Sequence, residues 1–113
     1  MEIIKIQRPW GSFEQFTHNE SSTVKLLYIN KGGKLSLQKH ARRDEFWKII
    51  SGNPTVEIGD KKFEAKIGDE LTVKAQTVHR LSAPQNDVVF LEIATGDFDE
   101  NDEVRLEDDY NRK

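Results

Sequence analysis

The sequence predicts an all-β chain, a sandwich or barrel of short antiparallel strands. Three observations carry that reading. Short runs rich in Val, Ile, Leu, Phe and Tyr recur as far as Ala94. Glycine-containing turns separate them at Lys31-Gly32-Gly33, Ser51-Gly52, Gly59-Asp60 and Gly68-Asp69. A helical stretch is conceivable only in the acidic tail.

In chain order, Ile3 to Ile6 is the first strand expected. Val24 to Ile29 is the clearest early one, dense in branched and aromatic residues, and Gly32-Gly33 closes it. Leu35, Leu37 and Lys39 then alternate with Ser36, Gln38 and His40, so a strand here sends the two sets to opposite faces. Phe46 to Ile50 follows, stopped by Ser51-Gly52. Thr55 to Ile58 and Lys62 to Ala65 flank Gly59-Asp60 and read as a hairpin. Glu70 to Val73 comes after Gly68-Asp69. His79 to Ser82 ends before Pro84, and Val88 to Ala94 is the most apolar run. For Asn101 to Tyr110 the pattern leaves open a short helix or an ordered loop.

Composition narrows the function classes. A length of 113 residues suits one compact domain spanning 1–113. The formal charge of −3 gives no general attraction to nucleic acid, so an anionic ligand needs a local basic pocket. The absence of cysteine excludes disulfides and thiolate metal sites. No apolar run approaches the roughly 20 residues that span a bilayer, and no signal-like segment opens the chain. A cytoplasmic protein without nucleic-acid or membrane partners is the expectation.

Gln38 and His40 lie two apart on one strand face. Glu45 opens the next strand after the charged turn Ala41 to Asp44, and His79 arrives from a distant strand. An amide oxygen, two imidazoles and a carboxylate suit one divalent ion, zinc first, with manganese, iron, nickel or cobalt as alternatives. Two histidines and a glutamate spread over such a length also arise by chance, so spacing alone leaves a metal site and an ordinary polar cluster both open.

The glycine frame around these residues resembles the cupin superfamily. Its first motif is matched as Gly32-x5-Gln38-x-His40-x4-Glu45-x6-Gly52, with Gln38 in place of one histidine. Its second is matched in part as Gly68-x5-Lys74-x-Gln76-x2-His79-x3-Ala83, where the motif's proline, inner glycine and asparagine are replaced. Further stretches resemble the cupin part of type II mannose-6-phosphate isomerases. These are Arg8-Pro9-Trp10-Gly11, Leu35 to His40 with Glu45 and Trp47, Thr77 to Leu81, and the tail from Gly96 through Asp102, Val104-Arg105 and Asp108-Asp109-Tyr110. Arg42, Phe46, Lys74 and Gln76 depart from that family's pattern. The resemblance implies a double-stranded β-helix, or jelly-roll barrel, and a divalent metal on Gln38, His40, Glu45 and His79. It also implies isomerisation of mannose 6-phosphate to fructose 6-phosphate. Larger relatives carry a nucleotidyltransferase part, and the expectation is of the isomerase-type module alone. Other readings are a non-catalytic cupin that binds a sugar or small acid, or a cupin epimerase or oxygenase.

Aldose–ketose isomerisation needs a base and, for a sugar phosphate, cations. With His40 and His79 as ligands, His18 is the third histidine, in a polar stretch. Glu92, inside the apolar run Val88 to Ile93, is the candidate base; its alternative role is a structural ion pair with Lys25 or Arg105. Lys25, inside a strong strand, and Arg105, in the tail, are candidate phosphate contacts or structural charges. Arg80 is expected to face away from His79, and Trp47 to share a face with Glu45. A homodimer pairing through sheet edges is expected.

Overall fold

A computed structural model describes residues 2–96 and 104–107. Among them are eleven strands: β1 Ile4–Arg8, β2 Gly11–Gln15, β3 Ser22–Ile29, β4 Leu37–Lys39, β5 Arg43–Ser51, β6 Thr55–Ile58, β7 Lys61–Glu64, β8 Glu70–Val73, β9 His79–Ser82, β10 Val88–Gly96 and β11 Val104–Glu107. They form a two-stranded sheet β1-β2, a four-stranded sheet β3-β10-β5-β8 and a five-stranded sheet β11-β4-β9-β6-β7. Every pairing is antiparallel. The two larger sheets enclose the core as a cupin-type jelly roll.

The expected strands are present, and β2 is an addition to them. The tail is corrected over Val104–Glu107. This segment is a strand rather than a helix or loop, and it hydrogen-bonds along β4. Three-residue β4 would otherwise leave one edge of ladder groups unpaired, and a strand satisfies them where a helix cannot. The rest of the Asn101 to Tyr110 expectation lies outside the described residues.

Register decides which side chains meet. Across the four-stranded sheet, Lys25, Glu92, Trp47 and Leu71 stand in one row, and Leu27, Phe90 and Ile49 in the next. Directly paired residues share a face, so all of these point between the sheets. From the other sheet, His79 and Leu81 stand beside Ile58 and Val56. The core joins Trp47, Ile49, Val56, Ala65, Val73, Leu81, Ala83, Val88 and Phe90. Each strand is therefore graded. Its Ile49, Phe90 and Leu81 end is apolar and closes the barrel, while its Glu45, Glu92 and His79 end is polar and still buried.

Candidate metal centre

The polar end gathers groups from both sheets. His40 follows β4, Glu45 lies on β5 and His79 opens β9, at 3%, 2% and 1% exposure. One donor atom from each falls within 4.8 Å of the others, a spacing that can hold a metal ion. His40 Nε2 is 3.1 Å from Glu45 Oε2, and His79 Nε2 is 3.9 Å from Glu45 Oε1. The imidazoles lie 5.0 Å apart between centroids. Gln38 pairs with His79 across the ladder and so shares its face; its Oε1 accepts a bond from the Ser36 hydroxyl at 3.1 Å.

Hydrogen bonds orient the cluster. The Thr77 carbonyl accepts from His79 Nδ1 at 2.9 Å, which leaves Nε2 as the lone-pair nitrogen of the neutral ring. Burial drives the His79 pKa down, so the neutral ring is favoured. Among the described residues, His79 Nε2 has no hydrogen-bond partner. A buried, unclaimed imidazole lone pair aimed at a carboxylate is what a divalent ion would satisfy. Trp47 Nε1 donates to Glu45 Oε1 at 2.9 Å and meets the His79 ring edge-on at 5.7 Å. Trp47 thus faces the cluster, as its register with Glu45 requires.

Arg43 reads in the sequence only as one of the cations flanking the ligands, and the structure puts it inside the cluster. Its Nε donates to Glu45 Oε2 at 3.1 Å, and its Nη2 lies 3.0 Å from the same oxygen and 3.1 Å from His40 Nε2. The signal was present: Arg43 stands two residues before Glu45 on β5 and must share its face. A shallow cleft of about 310 Å³ lies beside this residue, lined by Ala41, Arg42, Arg43, Asp44, Ala75, Thr95 and Gly96.

Glu92 joins the same end of the barrel and hydrogen-bonds Glu45. Burial, then the adjacent Glu45 charge, raises its pKa to about 8. Burial pushes Glu45 the same way. Hydrogen bonds with His40, Glu92 and Trp47 outweigh it and hold Glu45 well below the carboxylate range. The pair thus divides into a protonated Glu92 that donates and an ionised Glu45 that accepts. Lys25 is the cross-strand neighbour of Glu92, and its charge partly opposes that rise. Arg105 is the ladder partner of Gln38, on the opposite wall. Arg80 turns away, bonding the Leu35 carbonyl at 2.9 Å and Glu107. His18 is exposed beside Asn19, apart from the cluster.

The loop before His79 carries a conformational cost. Gln76 has φ +70°, in the left-handed region, where the cupin motif has glycine. Its N–H donates to the His40 carbonyl at 2.6 Å and its side chain to the Ala41 carbonyl at 3.2 Å. These bonds tie the His79 loop to the His40 turn, so both imidazoles are set from one junction.

The mannose-6-phosphate isomerase C-terminal family matches residues 2–108. The chain belongs to that family. It is 34% identical over 110 residues to the alginate biosynthesis protein AlgA of Pseudomonas aeruginosa, covering 96% of this chain and 23% of that protein. It is 32% identical over 110 residues to the xanthan biosynthesis protein XanB of Xanthomonas campestris, covering 96% and 24%. With a mannose-1-phosphate guanylyltransferase of Salmonella muenchen the identity is 30% over 106 residues, covering 92% and 22%. The chain thus spans about a quarter of the length of these relatives. Among solved structures it resembles a conserved double-stranded β-helix protein of Klebsiella pneumoniae, with TM-score 0.69, 18% identity and coverage of 81% and 80%. A cupin of Bacteroides fragilis gives TM-score 0.60, 18% identity and coverage of 73% and 81%. At that identity these two establish the fold alone.

Proposed function

We propose that this chain is a metal-dependent sugar-phosphate isomerase that interconverts mannose 6-phosphate and fructose 6-phosphate in polysaccharide precursor metabolism. The observation that carries the reading is the buried His40, Glu45 and His79 cluster, with its unclaimed His79 Nε2, in a chain of this family. His40 Nε2, a Glu45 oxygen, His79 Nε2 and the Gln38 amide oxygen would hold the ion, zinc first among the divalent candidates. Uptake at His40 Nε2 competes with the Arg43 hydrogen bond to that atom, so Arg43 must turn toward the cleft or onto Glu45. A bound divalent ion would supply polarisation of the sugar carbonyl and would offset the charge of an enediolate.

The chain's own residues supply the rest. Glu92 is the proton-transferring candidate, with a carboxyl at the inner end of the site and Glu45 to hold its proton. Arg42 and Arg43, on a cleft that also carries Asp44, offer cationic groups suited to a phosphate or a sugar hydroxyl. Lys25 stands across the ladder from Glu92 and favours its ionised form, while Arg105 adds positive charge on the Gln38 wall. Trp47 fixes the Glu45 carboxylate through its indole N–H.

Elemental analysis and a coupled assay with mannose 6-phosphate test this reading. About one divalent ion per chain and turnover that depends on it are expected, with the ion lost in His79→Ala. No turnover with any added divalent ion would sink the isomerase and leave a binding module. Retention of the ion by His79→Ala would overturn the ligand set.

A further inference from the structure

Strand β11 is set against its own hydrophobic pattern. Val104 and Leu106 are 50% and 47% exposed, while Arg105 is half-buried and its Nε is buried. A slip of one residue along β4 would reverse this, covering the two apolar side chains and turning the guanidinium to solvent. Apolar burial favours the slipped register. The observed register pairs Arg105 with Gln38, and Gln38 pairs in turn with His79. Directly paired residues share a face, so Arg105 stands on the face of the metal cluster.

Something other than apolar burial therefore selects the register, and Arg80 is placed to do it. Arg80 follows His79 on β9 and points to the opposite face, yet it is 5% exposed. Its Nε donates to the Leu35 carbonyl at 2.9 Å and its Nη2 to the Glu107 carbonyl at 3.3 Å, with Nη1 3.5 Å from Glu107 Oε1. Strand β4 lies between β9 and β11 in the sheet, so one side chain ties together two strands that share no ladder. The register of β11 shifts between Arg105 and Glu107, and Arg80 grips the residue just past that shift. Irregularities of this kind re-aim side chains. A one-residue slip would carry the Glu107 carbonyl about 3.4 Å along the strand and off the guanidinium. A buried guanidinium short of acceptors costs more than half-burying two apolar side chains returns.

We infer that Arg80 is a positioning residue: it clamps β11 in the register that keeps Arg105 on the Gln38 face, and so presents that cation to an anionic sugar ligand. Arg80 itself touches neither the ligand nor the cluster and acts through Glu107 and Arg105. The choice of mannose 6-phosphate as ligand rests on the isomerase reading above; the clamp on β11 does not.

Amide hydrogen exchange and calorimetric titration with mannose 6-phosphate, on the intact chain supplied with zinc, test the clamp in Arg80→Met, Arg105→Met and the double variant. Arg80→Met is expected to speed exchange of the β11 amides about tenfold or more, while β6 and β9 amides change less than about threefold. It is expected to weaken mannose 6-phosphate about tenfold. Arg105→Met is expected to weaken it by a similar factor with β11 still protected, and the double variant no further, because both act through one cation. Unprotected β11 amides in the wild type, unchanged protection in Arg80→Met, losses that multiply in the double variant, or a wild type that does not bind the sugar phosphate would each overturn the inference. Turnover is measured separately, and an inactive wild type that still binds overturns the isomerase reading alone. Methionine keeps the buried stem, and circular dichroism checks folding; Arg80→Lys, which keeps the charge and loses the fork, replaces Arg80→Met if that variant unfolds.

Discussion

At the scale of single residues, two positions beside the metal cluster make sharp tests. The first is Glu92. Its pKa is about 8 in the fold against 4.5 for a free carboxyl, so between those values the folded chain holds a proton that the unfolded chain releases. Stability of the chelator-treated protein therefore falls as pH rises from about 4.5 to about 8. Glu45, held low, acts oppositely, and its contribution is lost only as pH falls below the ordinary carboxylate range. Glu92→Gln keeps a donor toward Glu45 and removes the titration. Urea midpoints across that window should flatten in the variant, and an unchanged slope would refute the assignment. The second is Gln76. A side chain at φ +70° costs roughly 1 kcal/mol, about what its exposed bond to the Ala41 carbonyl returns. Gln76→Gly is expected to be neutral or stabilising by thermal melting. Gln76→Val is expected to cost about 1–2 kcal/mol, because a branched side chain fits that backbone worse.

At the scale of elements, the junction of β5 and β6 is the least tolerant point. Gly52 has φ +87°, and an added Cβ would overlap the Asp87 carbonyl and lie 2.9 Å from a Val88 methyl. Asn53 and Asn86 bond reciprocally across the same junction, at 2.8 Å and 3.1 Å, so the backbone has little room to yield. Gly52→Ala is expected to destabilise by about 2 kcal/mol or more in urea titration, with β5 and β10 losing hydrogen-exchange protection together. The strands were largely legible because period-2 alternation and glycine turns mark them. Val24 to Ile29 and Val88 to Ala94 have nearly the bounds of β3 and β10. Strand β11 was not legible, since only the open edge of β4 makes a strand of the charged Val104–Glu107 segment.

At the scale of the whole molecule, site and core are neighbouring layers of one barrel, joined by Trp47, which packs on both His79 and Phe90. Ile49, Val56, Leu81, Val88 and Phe90 are 0–1% exposed and make no use of the imidazoles. Chelation should therefore lower the melting temperature by the binding free energy alone while far-ultraviolet dichroism keeps its β signature. Collapse of that signature on chelation would show that the ion organises the fold. The candidate ligands were readable at a distance because period 2 fixes the face of each strand residue. Gln38 with His40, and Glu45 with Trp47, follow from counting alone.

The sequence by itself determined the all-β class, the turn positions and the residue types able to hold a divalent ion, because these follow from backbone sterics and local spacing. Tertiary structure decided what those residues meet. It brought His79 onto Glu45 from a strand more than thirty positions away, paired Glu92 with Glu45 so that one proton serves two carboxyls, and placed the Arg43 guanidinium against the atoms expected to bind the ion. The first two contacts depend on inter-strand register and the closure of two sheets, which no local pattern encodes, whereas Arg43 and Glu45 share a face of one strand and only their burial together is tertiary.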